Sequence, residues 1–164
     1  MKTAKNITII LSLMATSPIW CQREDAHMLT ELLASKVTSL TMGNIRYDLV
    51  GTDYTATTDR KHALLRIANM EPNGWAVRVL SADGSLLMTG IYADEQLAIA
   101  NGLFTYFHTN GQMESSGLFQ GGLKKGVWFR YTARGDLLAE RLYDGLDTEG
   151  MMLKEGLATL ASNH

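Results

Sequence analysis

Thiols are almost missing from this chain. Cys21 is the only cysteine, so no intramolecular disulfide can form and no cysteine set can hold a metal. The four histidines, His27, His62, His108 and His164, are scattered, with no His-x-x-x-His pair, and they read as solvated or half-buried side chains rather than ligands. Charge of one sign is also missing. A formal net charge of −2 over 164 residues makes a mildly acidic body that is a poor binder of polyanions, so nucleic acid is not expected as a partner. The densest basic cluster, Lys124-Lys125 with Arg130 and Arg134, reads as a solvated hairpin end. The longest apolar run, Ile7 to Ala15, falls well short of the ~20 residues of a membrane span. Gly-x-Ser-x-Gly, phosphate-loop and dinucleotide patterns do not occur. Asp144, Asp147 and Glu149 before Gly150 lack calcium-loop spacing. No catalytic residue, cofactor or metal is expected, and the chain is read as a non-enzyme.

What is present begins with a leader. Lys2 and Lys5, the Ile7–Ala15 segment and the exit region Thr16–Cys21 read as a signal peptide over residues 1–21, cleaved between Cys21 and Gln22. The reading implies a periplasmic or secreted protein. A lipid-modified Cys21 is the lesser alternative, because bulky Trp20 precedes it. Residues 22–58 read as a helical and irregular segment. Met28, Leu29, Leu32, Leu33, Val37 and Leu40 form one apolar stripe, with Asp25 as N-cap, which predicts a helix over 25–40.

From residue 59 to 149 the pattern is strand and turn. One unit is written twice, 24 residues apart (126 − 102). The first copy, 102–121, carries Gly102, Phe104, Phe107, Asn110-Gly111, Met113, Gly117, Phe119 and Gly121. The second, 126–145, carries Gly126, Trp128, Tyr131, Arg134-Gly135, Leu137, Tyr143 and Gly145. A looser copy over 75–94 aligns Asp83-Gly84 and Tyr92 with these positions, the difference being three extra residues in the 93–101 connection. A period of this size signals a repeat array. Each copy reads as a β-hairpin, with Asp83-Gly84, Asn110-Gly111 and Arg134-Gly135 at two-residue turns needing positive φ. Arg is a poor first turn residue, so the last turn is expected to be looser. Single hairpins are marginal in water. The expected fold is therefore mainly β, an elongated antiparallel sheet of stacked hairpins, with a short helix before it and a cap or tail over 150–164. The rings Tyr92, Phe104, Phe107, Phe119, Trp128, Tyr131 and Tyr143 are expected to be its core. Phe104/Phe107 and Trp128/Tyr131 are three apart, so a bulge or strong twist is needed to bring each pair to one face. The opposite face is read as polar.

The motif Gly-x-Trp/Phe-x-x-Tyr/Phe-x-x-x-Gly-x-Leu/Met, followed by aromatic-x-Gly, resembles the MORN-repeat variant family of bacteria. Members are often described as the antitoxins of toxin–antitoxin pairs, and related repeats are linked to membrane lipids and protein assembly. The resemblance covers residues 102–145 well and 75–94 loosely. It implies the hairpin array and a binding role. Combined with the leader, it leads to an exported, non-catalytic protein-binding or envelope scaffolding module, whose partner is a protein, with a membrane surface or glycan as further options. The alternative is an antitoxin or immunity protein that neutralises a toxin.

Overall fold

The structure, a computed structural model, describes residues 19–144, with backbone alone at residues 19–24 and 26. Residues 1–18 of the expected leader 1–21, and residues 145–164, with Gly145 of the last repeat copy and the expected cap or tail 150–164, lie outside the described residues. The order is α1 (Ile19–Ala34), β1 (Ser39–Met42), β2 (Ile45–Val50), β3 (Leu64–Glu71), β4 (Gly74–Leu80), β5 (Leu86–Tyr92), β6 (Gly102–Phe107), β7 (Met113–Gln120), β8 (Leu123–Arg130) and β9 (Arg141–Asp144). The nine strands form one sheet in chain order, and each neighbouring pair is antiparallel. The protein is thus mainly β, an open sheet of consecutive hairpins preceded by one short helix.

The sheet begins earlier than the sequence pattern suggests. Residues 22–58, read as helical or irregular, contain β1 and β2 as well as most of α1. The helix spans Ile19–Ala34 instead of 25–40. Val37, Thr38 and Thr41 are β-branched and favour a pleated surface over a helix, and Ser39–Met42 pairs with Ile45–Asp48. Asp25 is not an N-cap. It lies inside α1, buried, with its Oδ2 2.9 Å from Arg78 Nη2 of β4. Arg60 closes the other end of the helix, donating to the carbonyls of Leu32 and Val37 at 2.5 and 3.2 Å. A guanidinium is favourable there, because the last carbonyls of a helix have no partner within it.

Side chains alternate between the two faces along each strand, and each face has its own core. On one face, Val50, Ala68, Val77, Val79, Met88, Phe104 and Trp128 form a cluster. The connections 51–63 and 93–101 fold over it, contributing Tyr54, Leu97 and Ala100. The three residues by which the 75–94 copy exceeds the repeat period lie in the second of these. Asp94 fixes that loop by accepting from the amides of Ala98 and Ile99 at 3.1 and 2.6 Å. On the other face, Leu49, Leu65, Ile67 and Leu80 are covered by Met28, Leu29 and Leu32 of α1. Full burial of such a side chain contributes about 1.5–3 kcal/mol, so the helix is held by its apolar contacts, with Arg78 setting its position. This cover ends near β5.

Candidate binding face

The repeat is built around a ring on a glycine. The Phe104 ring lies on Gly90, and the Trp128 ring lies on Gly117, so closely that a Cβ at either glycine would fall inside the ring's contact distance. Glycine therefore serves here as space for the next hairpin's aromatic side chain. The 126–145 copy has Arg141 at this position, in the last described strand. The rings continue edge to face along the sheet: Tyr92–Phe104 at 5.3 Å, Phe104–Phe119 at 4.7 Å, Phe119–Trp128 at 5.2 Å and Trp128–Tyr143 at 6.0 Å. Each such pair adds about 0.5–1.5 kcal/mol beyond burial. Lys124 Nζ sits 4.2 Å from the Trp128 centroid and 5.3 Å from that of Tyr143, a cation–π contact closing this end.

Five of the seven expected rings form this ladder, and two do not. Phe107 and Tyr131 make no ring–ring contact among the described residues. A bulge does occur at Tyr106/Phe107, but it does not place Phe107 on the ladder. Phe107 instead lines a hollow between the 83–86 and 109–111 turn segments, and the Tyr131 amide bonds to the Glu114 carbonyl at 2.8 Å. The ladder's additional ring is Tyr106, 6.3 Å from Trp128, 6.4 Å from Phe104 and stacked on Tyr54 at 6.0 Å. Strict alternation from Phe104 signals it, since residues two apart share a face. Burial holds the Tyr106 hydroxyl neutral and pushes its pKa up to about 12. Tyr92 is raised for the same reason, whereas Tyr143 is lowered, chiefly by a hydrogen bond with Arg141.

The three turns share one backbone. The amides of Gly84, Gly111 and Gly135 donate to the carbonyls of Ser81, His108 and Thr132, each at 2.9 Å, and the residue after each glycine closes the loop. Only the glycine has positive φ, at 85°, 83° and 89°. These are three-residue loops with a glycine bulge, not two-residue turns, and Asp83, Asn110 and Arg134 do not have positive φ. That is why Arg134 is tolerated and its turn is no looser than the others. Asp83 and Asn110 accept from the amides of Ser85 and Gln112 at 3.1 and 3.0 Å. In the third turn Thr132 Oγ1 does this work, accepting from Arg134 and Asp136. Adjacent hairpin ends are tied together, His108 Nε2 meeting the Tyr131 carbonyl at 3.0 Å and Asn110 Nδ2 donating to Ala133 at 2.6 Å.

The face opposite the ladder is not polar. Beyond α1 it carries Leu103, Leu118, Val127, Phe129 and Leu142, with relative exposures of 57%, 52%, 43%, 43% and 80%. Leu103 pairs directly with Leu118, and Val127 with Leu142. Between these two pairs Lys125 stands opposite Leu118 and Ser116 opposite Phe129, so the exposed apolar side chains of β6 to β9 are interspersed with polar ones. Toward α1 they merge with a groove of about 600 Å³ lined by Ile45, Ile67, Ala76, Arg78, Ile91 and Leu103. Exposed apolar residues grouped on one face mark contact surfaces, whereas isolated ones are ordinary.

A second concavity, of about 420 Å³, opens on the ladder face between the two roofing loops, with Tyr54, Arg66, Tyr92, Gln96 and Tyr106 in its wall. Arg66 is already engaged there, held by Asp48 Oδ2 at 2.9 Å. Among the described residues no group of three or more His, Cys, Asp or Glu is placed to hold a metal ion, and no helix is long and apolar enough to cross a membrane. Comparison with known proteins gives no match to a family model, to a curated protein or to a solved structure.

Proposed function

We propose that this protein is an exported, non-catalytic module that binds another protein through the uncovered sheet face of β6–β9. The observation that carries this reading is the group Leu103, Leu118, Val127, Phe129 and Leu142, exposed among the described residues on a face whose other half is covered by α1. A strand-built surface with side chains at fixed spacing is suited to a partner's apolar segment, and repeat arrays characteristically recognise proteins in this way. Kinship with the MORN-repeat variants belongs to the same proposal. It is supported by the ring-on-glycine unit and the three equivalent turns. Export is supported by the leader pattern of residues 1–21.

The test is capture from the envelope fraction with the tagged, exported protein, run beside Leu118→Glu/Phe129→Glu. Both side chains point out of the sheet, so the double variant is expected to keep the native β-sheet circular dichroism and to lose at least ten-fold in partner recovery, about 1.4 kcal/mol. Equal recovery by both proteins, or a native protein retained in the cytoplasm with its leader uncut, would sink the reading.

A further inference from the structure

Two loops roof the ladder face, and each holds one residue in a costly backbone conformation. Tyr54 of the 51–63 loop has φ 63° and Leu97 of the 93–101 loop has φ 56°. Among the described residues no other non-glycine residue has positive φ, which crowds a Cβ against the following carbonyl. Strained backbone of this kind is concentrated at functional sites. Both residues line the concavity of about 420 Å³ between the loops, a size in the range of small-ligand pockets. Arg66 holds the first loop in place, donating from Nη1 to the Tyr54 carbonyl at 3.3 Å.

The polar groups of this concavity are unfinished. The rings of Tyr54, Tyr92 and Tyr106 are half-buried, yet their hydroxyls make no hydrogen bond to another described residue. A buried tyrosine hydroxyl ordinarily finds a partner. Burial favours the neutral phenol in all three, so each can both donate and accept. Arg66 has three of its N–H groups engaged, on Asp48 Oδ2 and the Tyr54 carbonyl, which leaves two of a guanidinium's five for a further acceptor. The surrounding charge does not select an ion. Asp48 neutralises Arg66 at 2.9 Å, Asp53 lines the concavity, and the Glu114 charge acts on Tyr54 and Tyr106. An anion would meet the exposed carboxylates of Asp53 and Glu114, and a cation the Arg66 guanidinium. A neutral ligand with many hydroxyls and apolar C–H faces meets every group. The phenols and Arg66 take its oxygens, while the tyrosine rings with Leu97 and Ala100 take its carbons. We propose that this concavity binds a neutral saccharide, as the mono- or disaccharide end of a glycan. The site is on the face opposite the proposed protein-binding surface, so it goes beyond that reading and stands or falls separately.

The experiment titrates the full chain with diacetylchitobiose, cellobiose and maltose to about 10 mM, followed by saturation-transfer NMR on the sugar protons. At least one of these sugars is expected to bind with a dissociation constant of about 1 mM or tighter. Tyr54→Phe/Tyr106→Phe keeps the rings and removes both hydroxyls. It is expected to weaken that binding at least about five-fold, with the native circular dichroism retained. Gln96→Ala, at an exposed loop position in the wall of the concavity, is expected to weaken it several-fold as well. Tyr131→Phe, outside the concavity, is expected to bind as the parent does. Absence of binding by every one of these sugars would overturn the proposal. So would unchanged affinity in both concavity variants, which would place the sugar elsewhere. Tighter binding of glucuronate or glucosamine than of the neutral sugars would also overturn it, by making the site one for ions.

Discussion

At the scale of single residues, two glycines do different work. Gly117 has ordinary backbone and is needed because the Trp128 indole occupies the space a side chain would take. Gly111 has nothing near its missing Cβ and is needed for its φ of 83°. Alanine at either position destabilises, by overpacking of about 1–3 kcal/mol at Gly117 and by left-handed strain of about 1–2 kcal/mol at Gly111. Urea unfolding is expected to show both losses, but only Gly117→Ala should disturb the near-ultraviolet circular dichroism of the ring ladder. Equal spectra for the two variants would contradict the ring-on-glycine account. Tyr106 makes a second residue-scale prediction. Its folded pKa, about 12, lies above its ordinary value of 10.0, so the folded state favours the neutral phenol. Its contribution to stability is complete below pH 10 and is lost as pH rises from there through 12. Spectrophotometric titration should show several tyrosines ionising late, Tyr54 and Tyr92 among them, with the latest step disappearing in Tyr106→Phe.

Among the elements, the loops are the parts set by single side chains. Asp94 organises the 93–101 connection, and its backbone hydrogen bonds with Ala98, and secondarily Ile99, hold its pKa below the ordinary 3.8. Asp83 is lowered likewise, first by the hydroxyl of Ser81 and then by the amide of Ser85. A depressed folded pKa means that the contribution is present above the ordinary value and is lost as pH falls below it. Thermal unfolding followed from about pH 6 to about pH 3 should therefore show the midpoint falling below about pH 4. Asp94→Ala is expected to lower the midpoint at the upper end of that range and to flatten the fall; a parallel curve would mean that the carboxylate does not order the loop. The connection is more than a link between β5 and β6, because Leu97 and Ala100 belong to the core above the ladder.

For the molecule as a whole, the meander sets what each part can sense. Every described strand pairs only with its neighbours in sequence, so stability is close to a sum of hairpins and their interfaces. The core changes character along the axis. At the α1 end it is aliphatic and two-sided, with Leu49, Leu65, Ile67 and Leu80 under the helix. At the β9 end it is aromatic and one-sided among the described residues, carried by the ladder, with Leu118, Phe129 and Leu142 exposed on the other face. That asymmetry is why the proposed partner surface is placed over β6–β9.

The three hairpins from β4 to β9 and the places of their turns were legible in the chain itself, whereas the three-residue form of those turns and the β1–β2 hairpin were not. Turn chemistry and two-residue alternation act between neighbours in sequence, and the echo between 102–121 and 126–145 repeats both. Much of the rest depends on contacts between distant residues. The stripe from Met28 to Leu40 suits a helix throughout, but Ser39–Met42 becomes a strand because β2 offers it a partner. Tyr106, in place of Phe107, joins the ladder because the strand alternates regularly up to the bulge that follows it. The Leu103–Leu142 group was hidden between the more visible aromatics. An apolar residue on a strand does not reveal whether anything covers it. The sequence alone determined a sheet of stacked hairpins with glycines at the turns. Which rings pack together, and which described side chains of each face are buried or exposed, was decided only by tertiary structure, because burial is a property of what lies across the sheet and not of the strand itself.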